Sequence, residues 1–62
     1  MKVAETVGEN EDQMRDLAVQ IMQENYRAAD NAAKDGRLTQ AAQHLESAER
    51  WRVKARSRGA KV

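Results

Sequence analysis

Few side chains in these 62 residues could carry a reaction, and their spacing decides how far that goes. His44 is the single histidine. On a helix, a metal pair or a base with its orienting acid needs a second histidine or a carboxylate three or four residues away. Those positions hold Gln40, Ala41, Ser47 and Ala48, so His44 reads as a solvated helix residue. No base with its orienting group stands beside Thr39, Ser47 or Ser57, which leaves no activated nucleophile. Cysteine is absent, and no glycine-rich phosphate loop occurs. The expectation is a non-enzymatic chain with no catalytic residue, no metal site, no cofactor and no small-molecule substrate.

A second kind of chemistry is electrostatic. Residues 1–35 hold four basic and eight acidic side chains, whereas residues 36–62 hold seven basic and two acidic. Between Arg50 and Lys61 there are six positive charges, no negative one, and Trp51. Arg50, Arg52, Lys54, Arg56 and Arg58 could grip phosphates while the indole stacks on a base. Two considerations weigh against this. The formal net charge is only +1 and the pI about 8.2, below the value above 9 that marks dedicated nucleic-acid binders. Charges two residues apart on a helix also fall on opposite sides, so the tail lacks a single basic face. In a folded hairpin these cations would lie near Glu9, Glu11, Asp12 and Asp16 and could pair with them. Contact with RNA, DNA or another acidic partner is therefore the alternative reading.

The elements that must position these residues are helices. There is no proline, and Ala, Glu, Gln, Arg and Lys dominate residues 11–57, all strong helix formers. Asn10-Glu11-Asp12-Gln13 matches a capping box, with two acids in the first turn where the helix dipole favours them. Helix 1 is expected at about 11–34. Its apolar positions Met14, Leu17, Ala18, Ile21, Met22, Ala28, Ala29, Ala32 and Ala33 recur at spacings of three and four. Asn25 and Tyr26 fill the gap in that stripe, Asn25 as an edge polar residue or as a register-setting amide. Gly36 suits the left-handed position that closes a helix, within a turn at 35–37. Helix 2 is expected at about 38–57, with Ala41, Ala48 and Ala55 seven residues apart as a small-residue seam. Residues 1–9 show neither period and read as a flexible leader; residues 58–62 read as a basic flexible tail.

So short a turn makes the helices antiparallel neighbours. Mirroring the chain about Gly36 puts Trp51 near Ile21, where it would cover Leu17 and Met22, and Arg56 near Asp16. The turn end is alanine-lined and the open end bulky. Of 25 apolar residues, 11 are alanine, too little large side-chain surface for two helices to bury a core alone. Association is the expected remedy, most simply a two-fold homodimer forming a four-helix bundle.

Ala29, Gly36, Ala41, Leu45 and Ala48 together make residues 25–51 resemble one tetratricopeptide-type helix–turn–helix unit. The resemblance covers about 30 of the 62 residues. Asn25 and Ala28 stand where that family carries large aromatic and leucine side chains, no proline ends the second helix, and no second copy occurs. What it implies is close helix packing and binding of a peptide or protein. In size and architecture the chain also looks like the Rop-like helical hairpins, which dimerise into four-helix bundles and bind paired RNA hairpins; no residue carries across.

The sequence thus predicts an all-α antiparallel hairpin serving as a protein-interaction module or regulator. Met14, Leu17, Ile21, Met22, Leu45 and Trp51 are the predicted interface, with Trp51 as its anchor. No apolar run reaches membrane-spanning length and no signal pattern opens the chain, which makes a cytoplasmic location the expectation.

Overall fold

The computed structural model describes residues 3–62, with side chains from Glu11 onward. Two helices make up the fold, α1 over Val3–Lys34 and α2 over Leu38–Ser57. They pack on each other as an antiparallel hairpin measuring 53 × 16 × 14 Å. No strand occurs among the described residues.

Helix α1 starts upstream of the expected Glu11. The backbone is helical from Val3, so Asn10 lies inside the helix and not at its cap. Gly8 costs a helix interior only about 1 kcal/mol relative to alanine, and extending a nucleated helix is cheap. Met1 and Lys2, and the Asn10 side chain needed for a capping box, lie outside the described residues. At 1.5 Å per residue α1 is about 48 Å long and α2 about 30 Å, so the surplus of α1 projects beyond α2 at the open end.

The turn is built as Gly36 suggested. Gly36 has φ +79°. Its N–H donates to the Ala33 carbonyl at 3.0 Å, and the Arg37 N–H donates to the Ala32 carbonyl at 2.8 Å. This pair of bonds is a Schellman motif, which satisfies carbonyls that a helix end would otherwise orphan. The chain re-enters helix at once, with the Ala41 N–H donating to the Arg37 carbonyl at 2.9 Å. The same motif closes α2. Gly59 has φ +102°; its N–H donates to Arg56 and that of Ala60 to Ala55, both at 3.0 Å. The expected loose tail thus begins with a defined turn.

Between the helices runs a seam of small side chains. Among the described residues the buried apolar ones are Ala18, Met22, Ala29 and Ala32 from α1 and Ala48 and Ala55 from α2, and of these only Met22 is large. The α1 members follow the alternating four-and-three spacing of a heptad seam. Ala41 continues the α2 series half-buried. Asn25 stands in the α1 row between Met22 and Ala29, half-buried, and its Nδ2 donates to the Ile21 carbonyl of its own helix at 2.9 Å. The amide nitrogen thereby finds its partner within α1.

Candidate interaction surface

The broad apolar stripe of α1 is split by the geometry of a two-helix pair. Only its inner row touches α2, because one neighbour covers only a narrow strip of a helix surface. Met14 is 48% exposed and Leu17 51%, while Ile21 and Ala28 are half-buried. At 100° per residue, these four fall on one side of the plane through the two helix axes. Trp51, half-buried on α2, falls on that same side.

Near the open end this side forms a shallow groove of about 460 Å³, bordered by Glu11, Met14, Ala18, Trp51, Lys54 and Arg58. Trp51 meets the groove beside Met14 and Ala18, closer to the open end than the expected Ile21. The Lys54 ammonium sits 4.5 Å from the centroid of the Trp51 ring, a cation–π contact that leaves the indole edge on the groove. Arg58 Nη1 lies 3.5 Å from Glu11 Oε1. That pair links the end of α2 to α1 across the open end, as the opposite charges of the two halves anticipated.

The six predicted interface residues do not form one surface. Met14, Leu17, Ile21 and Trp51 are brought together. Met22 is 6% exposed and belongs to the seam. Leu45 is 43% exposed, but it follows the other side of α2, about 120° around the helix from Trp51. There it accompanies half-buried Tyr26 and exposed Leu38. Leu38 and Val53, at 70% and 67% exposure the most exposed of the large apolar residues described, are not among the six predicted interface residues. Their outward placement is readable from the heptad once Ala48 and Ala55 are fixed as the seam.

The five basic candidates are likewise dispersed. Arg50 pairs with Glu46 of its own helix at 3.4 Å, Lys54 covers Trp51, and Arg58 holds Glu11. Asp16, expected opposite Arg56, is instead 3.4 Å from Arg15 of its own helix. Among the described residues no ion pair engages Arg52 or Arg56, and both are exposed. These two share the side that carries Leu45. His44 and Thr39 are exposed and Ser47 is half-buried. Among the described residues no cluster of three or more His, Asp or Glu forms, and no helix is long and apolar enough to cross a membrane.

Comparison with protein-family models, curated proteins and solved structures gives no match to this chain. What the structure itself shows is an all-α helical hairpin in which five large apolar side chains among the described residues, Met14, Leu17, Leu38, Leu45 and Val53, are exposed.

Proposed function

We propose that this chain is a small non-enzymatic interaction module or regulatory accessory protein whose hydrophobic core is completed by association. Self-association into a dimeric four-helix bundle is the simplest form, and docking on a larger protein uses the same surface. One observation carries the reading. The seam is alanine plus a single methionine, while Met14, Leu17, Leu38, Leu45 and Val53 are each more than 40% exposed. Fully burying one such side chain is worth roughly 1.5–3 kcal/mol, so joining two hairpins recovers stability that one hairpin leaves unused.

Sedimentation equilibrium over a concentration series at two salt levels, with far-UV circular dichroism on the same samples, tests it. A helical dimer that persists at high salt is the expected result. A fully helical, stable monomer at all concentrations would overturn it.

A second reading keeps Arg52 and Arg56 as contacts to nucleic acid, because these two arginines meet no acid among the described residues. It draws on Arg50, Lys54 and Arg58 only if their present partners release them. Binding of this kind should weaken steeply with salt and disappear when residues 52–62 are removed. An apolar interface should instead survive salt and fail on Trp51→Ala.

A further inference from the structure

The side of the hairpin carrying Trp51 is chemically uneven along its length, and that unevenness selects its occupant. Toward the open end stand Met14, Leu17 and Ile21 of α1 and Trp51 of α2. Toward the turn, α2 presents Gln40, His44 and Ser47 on the same side. The opposite side of the hairpin is less suited to a dry interface. Arg52 and Arg56 lie along it near the open end with no ion pair among the described residues, so burial would strand charge. Lys54 and Arg58 of the Trp51 side, by contrast, already engage Trp51 and Glu11.

Building on the reading that the hairpin associates, we infer that the Trp51 side is covered by a second copy of this chain. The two copies are related by a two-fold axis parallel to the helices, so that their open ends lie at the same end of the bundle. α1 of each copy then lies against α2 of its partner.

Two independent observations lead to this arrangement. The first is apolar matching. With the axis along the helices, the cluster of one copy meets the cluster of the other and their polar turn-proximal halves also meet. The other face-to-face solution has its axis across the helices. With the hairpins fully overlapped it would lay Trp51 on the Gln40, His44 and Ser47 stretch of the other α2, and Met14 and Leu17 on the turn-proximal half of the other α1, and so part the two clusters.

The second observation is charge. Residues 1–35 are net acidic by four and residues 36–62 net basic by five. With the axis along the helices, every helix in the bundle has two neighbours of opposite sign, because α1 sits diagonal to the partner's α1. With the axis across them, acidic α1 would lie beside acidic α1 and basic α2 beside basic α2. Charges at the rim are screened and add little to affinity, but like-charge juxtaposition penalises the wrong register.

The chain has no cysteine, so one introduced thiol gives one label per copy. Asp35→Cys places it at the exposed turn, away from the seam. Nitroxide-labelled full-length protein, studied by pulsed dipolar spectroscopy, should give a spin–spin distance of roughly 20 Å, set by helix spacings of 8–10 Å and the label arms. Turns at opposite ends of the bundle would lie beyond about 30 Å, the length of α2, and that result overturns the arrangement. Sedimentation of the same samples separates the two failures. A dimer with the long distance sinks only the same-end geometry. A monomer with no dipolar signal, whether or not it binds some other protein, sinks the second-copy occupant and self-association together.

Discussion

The two ends of this hairpin are made from different side chains and solve different problems. Toward the turn the seam is lined by Ala29 and Ala32 of α1 and by Ala41 and Ala48 of α2, and methyl groups let the helices approach closely. Near the open end, Met14, Leu17, Ile21 and Trp51 are too bulky to fit between two helices, and they spill onto one outer side. A two-helix contact rewards small residues because close approach gives many weak dispersion contacts along the seam. Of the large side chains described it encloses Met22 alone. The turn end thus packs mainly methyl groups, with Leu38 left outside, whereas the open end leaves Met14 and Leu17 about half exposed, the surface that the proposed association would cover.

That contrast can be broken most directly at the open end. Ile21→Glu would place a carboxylate at the centre of the apolar cluster, and its burial without a partner is prohibitive. Sedimentation should show loss of self-association by at least about 100-fold, some 2.7 kcal/mol; an unchanged dimer would remove the open end from the interface. Next comes the seam. Ala48 is fully buried, so Ala48→Leu should overpack it and cost about 1–3 kcal/mol in thermal or urea melts, by pushing the helices apart.

The turn comes third. No atom lies within 4 Å of where a Cβ on Gly36 would stand, so Gly36→Ala tests backbone conformation alone. At φ +79° it should cost about 1–2 kcal/mol, read as a lower urea midpoint with an unchanged slope. Arg58→Ala closes the series. It removes the cross-helix pair with Glu11, and a partly exposed ion pair of this kind is worth less than about 1 kcal/mol and screened by salt. A shift in melting temperature that vanishes in high salt is the expected outcome.

Much of this was legible in the residues, for reasons that differ by position. Gly36 announced the turn because a left-handed helix stop strongly favours glycine, and the sevenfold spacing of Ala41, Ala48 and Ala55 announced the seam because nothing else explains methyl groups at that period. The upstream reach of α1 was hidden by Gly8 and by the Asn10–Gln13 pattern, which resembles a cap yet lies within continuous helix. Which half of the α1 stripe turns inward was also hidden. Spacings of three and four describe a stripe more than 100° wide, and only the presence of one neighbour in place of two decides that Ala18 and Met22 go inside while Met14 and Leu17 stay out. Size and hydrophobicity alone put Leu45 with Trp51, although six helical positions separate the two onto opposite sides. Gly59, read as part of a loose tail, carried the same signal as Gly36 but lacked a following helix to make it conspicuous.

The repeated Schellman motif has an engineering consequence. Both helices stop on the same pair of hydrogen bonds, accepted by Ala33 and Ala32 in α1 and by Arg56 and Ala55 in α2, and each stop swings the backbone out of line through a left-handed glycine. After Gly36 that swing sends the chain back along its own path within a single residue. Gly59 is a second joint of the same make, so a helix grafted behind it would be launched along the side of α2. The hairpin is in this sense a segment of modular scaffold, extensible by copying a joint it already has in duplicate.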